Sequence, residues 1–297
     1  MNFLKLRYLA YVISGSLLLM SYISFFTNGF NYGIDFTGGV LIQVKFNKKV
    51  NVKDIRKALK GEKLGTLTIQ RIGRENENLF IIKSKIEKKA NETINIIRND
   101  LISYFGKDNI QLPFQRSEMV GPTIGADLRK LAYWLIFISL IAILIYISFR
   151  FQFKFAMASI VALVHDVSIT LGFFSILHKE INIPIVAAVL TIIGYSLNDT
   201  IVVFDRIREN LKLMRKEKIE TIINVSIRST LNRTVITSLT TLLTVLSLYF
   251  FGGTVIHDFA FAFLIGVIIG TYSSIFVASP IIYEWWMYAD KKHHSKK

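Results

Sequence analysis

The chain contains no cysteine among its 297 residues. This absence excludes a disulfide framework, a thiolate metal site and thiol redox chemistry. The sequence also lacks a nucleophile–base pairing and a metalloprotease motif such as HExxH. We therefore expect neither catalysis nor a metal site.

Acidic residues are scarce relative to basic ones. The 21 aspartates and glutamates face 36 lysines and arginines, which gives a formal net charge of +15. No helix-turn-helix pattern or aromatic-rich RNA-binding motif accompanies this charge, so it does not indicate nucleic-acid binding. In a membrane protein, basic residues more often mark the cytoplasmic loops.

Long apolar segments dominate the sequence, with 52% hydrophobic residues and a mean hydropathy of +0.44. Six of them, each about 19 to 25 residues long, are sufficient to cross a hydrocarbon core about 30 Å thick. The predicted spans are Tyr8–Phe26, Leu131–Phe149, Phe155–Leu177, Ile181–Phe204, Thr234–Val255 and Phe259–Tyr283. We expect the first to be an uncleaved anchor, because "SFFTNGF" offers no small-residue cleavage site.

The loops at the two ends of these spans differ in charge. The basic loops and termini contain Lys5, Arg7, Arg150, Lys154, Arg206, Arg208, Lys212, Arg215, Lys216, Lys218, Lys291, Lys292, Lys296 and Lys297. The alternate loops, "HKEIN" and "GGTVIHD", carry almost no net positive charge. By the positive-inside rule, both termini are cytoplasmic and the long segment after the first span lies outside.

This orientation predicts a simple layout. Residues 1–27 form the cytoplasmic N-terminus and first span, and residues 28–130 form an external, periplasmic domain. Residues 131–283 form spans 2–6, with a cytoplasmic loop at 205–233. Residues 284–297 form a basic cytoplasmic tail.

The external segment alternates between strand and helix patterns. "GVLIQVKF", "TLTIQRI" and "NLFIIKSK" are typical of strands, and "IQLPFQRSEMV" is a final extended piece, whereas "VKDIRKALK" and residues 88–105 have helical spacing. The order β-α-β-β-α-β is that of the ferredoxin-like unit. The predicted fold is therefore an α-helical membrane protein with six transmembrane helices, plus one ferredoxin-like α+β domain between helices 1 and 2. We expect that domain to bind or act as a lever.

Two charged residues lie inside predicted membrane segments at similar depths. Asp199 precedes Arg206 by seven residues, or roughly 10 Å along a helix. Arg233 follows Arg228 by five residues, or roughly 7–8 Å. A lone charge near the bilayer centre costs at least ~2.5–3.5 kcal/mol, so we expect Asp199 and Arg233 to pair. The pair is either a static link between two spans or a carboxylate that takes up and releases a proton.

Polar side chains accompany this pair. Span 5 carries Thr234, Thr237 and Thr241 at spacings of three and four, which place them on one helix face. Ser196 and Asn198 lie beside Asp199 on span 4. Such a stripe either holds a chain of water molecules or packs against a neighbouring helix.

A second intramembrane pair, His165 and Asp166, lies near the middle of span 3. Adjacent residues point about 100° apart on a helix, so the two cannot simply share one partner. They either bond to another span or belong to a proton relay.

Five segments are similar, in order and spacing, to those of a known family. They are "YGIDFTGG" (Tyr32–Gly39), "VGPTIGADL" (Val120–Leu128), "HDVSITLG" (His165–Gly172), "LNDTIVVFDRIREN" (Leu197–Asn210) and "LNRTVITSLTTLLTVLSLYFFGG" (Leu231–Gly253). Together they resemble the SecF subunits of the SecD/SecF family, which is related to the resistance-nodulation-division transporters.

The resemblance implies a subunit that pairs with SecD beside the SecYEG channel, after the SecA ATPase has pushed a precursor partly across. YajC and YidC are further partners that it implies. Such proteins need no cofactor, since the proton gradient drives them to complete translocation of unfolded polypeptide at the outer face of the bacterial inner membrane. The family's proton-coupling residues correspond here to Asp199 of "NDT" and Arg233 of "NRT".

Two other functions stay open at this point. The chain is alternatively half of a proton-coupled exporter of lipids or small molecules, or a static scaffold for the channel. Related transporters consist of two six-span halves. We therefore expect a second six-span partner, with a carboxylate that faces Arg233.

Overall fold

The computed structural model describes residues 2–60, 64–73, 77–85 and 90–294. Six helices in this part of the chain are long and apolar enough to cross a membrane. They are a 3-10 turn at Phe3–Leu6 continued by α1 (Arg7–Thr27), α5 (Pro122–Arg150), α6 (Phe153–Ile176), α7 (Ile183–Leu213), α8 (Ile219–Phe251), and α9 (Gly253–Ser273) continued by a π-helical turn (Ser274–Ala278) into α10 (Ser279–His294).

Each predicted span overlaps one of these helices, but the helices extend further. The segment 205–233, predicted as a loop, is helical except for residues 214–218. Likewise, α5 begins at Pro122, nine residues before the predicted start of the second span. Hydropathy identifies only the apolar part of a helix that lies in the hydrocarbon core. The helical backbone hydrogen bonds continue through the charged turns at either end, so the helices are longer than the predicted spans.

A four-stranded antiparallel sheet lies between α1 and α5 in the chain. Its strands are β2 (Gly39–Lys45), β3 (Leu67–Ile72), β4 (Leu79–Ser84) and β5 (Arg116–Val120), in the order β3-β4-β2-β5. Two helices, α3 (Val52–Ala58) and α4 (Ala90–Phe105), connect them. We call these six elements the sheet domain.

The apolar alternation of the strands determines which face of the sheet is covered. Val40, Ile42 and Val44 of β2 are fully buried and pack in one cluster with Ile97 and Leu101 of α4. Because successive side chains of a strand point to opposite faces, the other face is left free of these helices.

A short segment before β2 connects the sheet domain to the membrane helices. β1 (Asn31–Tyr32) pairs in parallel with β6 (Glu180–Ile181), which lies in the loop between α6 and α7. The next element, α2 (Ile34–Thr37), packs against α5. No local sequence pattern indicates the β1–β6 pairing, because each strand has only two residues.

Two consecutive glycines connect this segment to β2. Gly38 and Gly39 have φ angles of 78° and 155°, which side chains rarely allow. A Cβ on Gly39 would lie 2.5 Å from the carbonyl oxygen of Ser84, and one on Gly38 would lie 2.8 Å from Pro122. The backbone of this segment is therefore wedged between β4 and the start of α5.

Replacing Gly39 with alanine should destabilise the protein by about 1–3 kcal/mol, because the substitution adds both backbone strain and a steric clash. The thermal unfolding temperature of the purified protein in detergent measures the effect. Gly15→Ala in α1 is the matched control, since a Cβ there meets no atom within 4 Å. Equal unfolding temperatures for the two variants would contradict the wedged packing.

Candidate functional site

Asp199 lies where α7, α8 and α9 meet, and only 3% of its surface is exposed. The Ser238 hydroxyl of α8 donates a hydrogen bond to Asp199 Oδ2 at 3.3 Å. The Thr271 hydroxyl of α9 donates in turn to Ser238 Oγ at 2.7 Å. Two neutral hydroxyls therefore connect the buried carboxylate to its neighbouring helices.

The predicted ion pair between Asp199 and Arg233 is not formed among the described side chains. Arg233 is exposed, although its guanidinium is close enough to act on Asp199 electrostatically. Ser238, which contacts Asp199, follows Arg233 by five residues. Five residues correspond to about 7.5 Å along a helix and roughly 140° around it. Arg233 therefore lies closer to the α7–α8 loop than Ser238 does, and its side chain points to a different side of α8.

The register of α7 and α8 explains this error. Arg206 Nε donates to Ser229 Oγ at 3.0 Å, and Asn210 Nδ2 donates to Ser226 Oγ at 2.8 Å. Asp199, seven residues before Arg206 on α7, is thus level with residues about seven positions after Ser229 on α8. Arg228 adjoins Ser229, so Arg206 and Arg228 do lie at comparable depths. Arg233 is only four residues beyond Ser229, however, and so lies about three residues, or roughly 4.5 Å, short of the level of Asp199.

Among the described contacts, no hydrogen bond joins the predicted polar stripe of α8 to Asp199. Thr237 donates to the backbone oxygens of Arg233 and Thr234 on its own helix. Thr234 is buried, Thr241 is partly exposed, and Asn198 is exposed. A threonine hydroxyl in a helix readily bonds the carbonyl of the preceding turn, so periodic spacing alone does not create a polar path.

Ser196 belongs to a different cluster, centred on Asp166 of α6. Asp166 is fully buried, and its Oδ2 accepts hydrogen bonds from Ser196 of α7 at 2.6 Å and Ser273 of α9 at 2.7 Å. His165 Nδ1 lies 2.8 Å from Asp166 Oδ1. His165 and Asp166 thus contact each other directly, because their side chains are long enough to meet although they leave the helix about 100° apart.

His165 continues the cluster towards α1. Its Nε2 lies 3.0 Å from the Ser14 hydroxyl, which lies 3.1 Å from the Tyr272 hydroxyl. Tyr272 donates to the carbonyl oxygen of Ala10 at 2.9 Å. Hydrogen bonds therefore run from α7 and α9 through α6 to α1.

Sequence reasoning missed several residues of these clusters, namely Ser14, Ser238, Thr271, Tyr272 and Ser273. Isolated hydroxyl residues are common in membrane helices, so their presence carries little information. The one sequence feature that could have located these contacts is the spacing of Gly266 and Gly270 on α9, which indicates close helix packing.

Close contact between α7 and α9 brings the hydroxyls within reach. A Cβ on Gly266 would lie 2.3 Å from Ile192 Cγ1, and one on Gly270 would lie 2.9 Å from Ser196 Cβ. Only glycine allows the two backbones to approach this closely. The short side chain of Ser273 then reaches Asp166.

The π-helical turn follows directly after Ser273. The Ser279 hydroxyl donates to the carbonyl oxygen of Ser274 at 2.9 Å, five residues earlier. Turns of this kind in α-helices occur frequently at functional sites. Here the turn lies next to the Tyr272 and Ser273 contacts.

Comparison with known proteins assigns these features to a family. Residues 102–288 match the model described as "Protein export membrane protein SecD/SecF, C-terminal". The chain belongs to the SecD/SecF family. Residues 23–50 match the "SecD/SecF GG Motif", a segment that contains the wedged Gly38 and Gly39. With its six apolar helices, this family member is a multi-pass membrane protein.

Two curated relatives of this family are named "Protein translocase subunit SecF". That of Desulfurispirillum indicum is 48% identical over 288 residues, covering 95% of this chain and 91% of the relative. That of Vibrio alginolyticus is 44% identical over 282 residues, covering 94% of this chain and 88% of the relative. These names describe transport rather than enzymatic catalysis.

Solved structures of the family share the fold. The crystal structure of SecDF from Thermus thermophilus, described as a translocon-associated membrane protein, is 40% identical with a TM-score of 0.82. The match covers 96% of this chain but only 38% of that one. A structure of SecDF in a super-membrane-facing form is 39% identical with a TM-score of 0.73, and 40% of it is covered. SecDF thus contains much more chain than this protein.

Asp166→Ala should destabilise the bundle strongly. It removes the acceptor of the buried Ser196 hydroxyl and the partner of His165 Nδ1, at about 1–3 kcal/mol for each unsatisfied group, and it removes one of the two acceptors of Ser273. Asp166→Asn, which retains an acceptor oxygen, should cost less. Abundance in the membrane and thermal unfolding temperature measure the order, with the exposed Asp127→Ala as control. If Asp166→Ala matched the control, Asp166 would not connect the helices.

Proposed function

We propose that this chain is a SecF-type subunit of the protein-export machinery that uses the proton-motive force to complete translocation of secretory proteins. Asp199 is the carboxylate that takes up and releases the proton. The observation that carries this proposal is the burial of Asp199 in an apolar helix with a serine hydroxyl as its hydrogen-bond donor.

The two buried carboxylates have different surroundings. Asp166 is bonded by two serines and a histidine, whereas the Asp199 carboxylate accepts a single long hydrogen bond of 3.3 Å among the described residues. A carboxylate in low dielectric with few donors is held less firmly in its charged form. Asp199 is therefore suited to change protonation, and Asp166 is suited to hold four helices together.

Arg233 is accessible to a partner from outside the chain. It is exposed on α8, beside the exposed apolar side chains of Ile236 and Leu239. A guanidinium on such a surface faces water, a headgroup or another protein. We infer that it faces a carboxylate of SecD, in keeping with the additional chain that the SecDF relatives contain. Movement at this interface then changes the charge near Asp199.

The orientation follows the charge of the loops. We place both termini and the loop between α7 and α8 in the cytoplasm of a bacterium, and the sheet domain in the periplasm, with the helices in the inner membrane. We also assign the sheet domain to the ferredoxin-like fold, because its element order and its strand order β3-β4-β2-β5 agree with a split βαβ unit.

The proposed partners follow from the same function. SecD completes the complex, SecYEG and SecA supply the partly translocated precursor, and YajC and YidC associate with it. The sheet domain contacts the emerging polypeptide or the partner subunit. The names of the relatives favour this function over export of lipids or small molecules.

Asp199→Asn should abolish the proton-driven part of export, because an amide cannot carry the proton. The measurement is release of a secretory precursor from membrane vesicles containing the protein and its SecD partner, with and without a proton gradient. Asp127→Asn, an exposed carboxylate, is the control at equal abundance. If release from the Asp199→Asn vesicles still rose with the gradient, Asp199 would not be the coupling carboxylate.

A further inference from the structure

The free face of the sheet looks onto the loop between α6 and α7. Lys83 of β4 lies level with Thr68 of β3 and Leu41 of β2, on the face opposite the buried Ile82. Its Nζ lies 2.5 Å from Glu180 Oε2 in β6. The side chains of Lys83 and Glu180 are only 16% and 10% exposed. This largely buried ion pair therefore joins the sheet domain to the membrane helices.

Neighbouring contacts stabilise the same junction. Lys85 Nζ donates to Asn31 Oδ1 at 2.9 Å, and Asn31 Nδ2 donates to the carbonyl oxygen of His178 at 3.0 Å. The Gly33 amide donates to the carbonyl oxygen of Ile181 at 2.8 Å. Side-chain and backbone bonds thus hold both partners of the ion pair in place.

The junction continues directly into α7. Asp35 Oδ2 accepts a hydrogen bond from the amide of Ile183, the first residue of that helix, at 3.0 Å. Asp199 follows sixteen residues later on the same unbroken helix, or about 24 Å away. A displacement of α7 is therefore transmitted to β6 and to Glu180.

We propose that the Lys83–Glu180 ion pair is a rigid strut through which the sheet domain follows the movement of α7. The inference rests on the proposed function, since the movement it transmits is the one that protonation of Asp199 drives. Burial and the dense surrounding contacts favour a connection that stays closed throughout the cycle over one that opens and closes.

The strut can be tested independently of export. The chain has no cysteine, so spin labels at Ser117→Cys, exposed on β5, and Thr191→Cys, exposed on α7, are unique in it. We expect a narrow distance distribution in the otherwise native protein and a broader one after Glu180→Gln or Lys83→Met. A distribution that stays equally narrow in both variants would overturn the strut.

A matched control comes from the same sheet. Glu118→Gln breaks the ion pair with Arg116, whose two side chains are about half exposed, and should leave the distribution narrow. The double variant Lys83→Glu with Glu180→Lys restores opposite charges at the two positions and should narrow the distribution again. Failure of this rescue would mean that the paired charges are not the connection.

The export assay then tests whether the strut transmits the movement of α7 to the sheet domain. In the vesicle assay, Glu180→Gln and Lys83→Met should lose the gradient-dependent release while keeping their abundance and their gradient-independent release. Linking Lys83→Cys to Glu180→Cys with a short thiol cross-linker should leave gradient-dependent release intact, whereas its loss would show that the contact must open and would overturn a rigid strut. Absence of any gradient effect in the unaltered protein would instead contradict the proposed function. The distance distributions between the spin labels would then be the only test of the rigid strut.

Discussion

A carboxylate inside an apolar helix bundle must find hydrogen-bond donors within the protein, because lipid offers none. In this fold the close contact of α7 and α9 supplies them. Gly266 and Gly270 remove the side chains that would separate the two backbones. The resulting proximity places Ser273 against Asp166, and Thr271 against the Ser238 that bonds Asp199. The positions of both buried carboxylates depend on this one contact.

The same constraint gives the two carboxylates different surroundings. Asp166 has donors from three helices and connects, through His165, to a fourth. A fully bonded network of this kind specifies one arrangement of the helices. Asp199 accepts one hydrogen bond among the described residues, from Ser238 at 3.3 Å, so fewer donors hold it in place. Under the proposed function, such a cluster keeps the helices in place while Asp199 changes its charge.

Much of the fold could be predicted from the sequence, since hydropathy and strand alternation are properties of short segments. The spans, the strands of the sheet domain and the presence of Asp199 and Asp166 in membrane helices followed from such patterns. The partners of these carboxylates did not follow, because they depend on helix register. Ser238 was missed for this reason, and Arg233 was wrongly expected at nearly the level of Asp199. The pairing of β1 with β6 joins residues about 150 positions apart, and no local pattern indicates it.

The central claim is that Asp199 changes its protonation state when a proton gradient is applied. Infrared difference spectroscopy of the complex in vesicles measures this directly, as a carboxylic-acid band that appears or disappears with the gradient. The account predicts such a band in the native protein and its absence in Asp199→Asn, with the bands of other carboxyl groups unchanged. An identical difference spectrum in the two proteins would contradict the account.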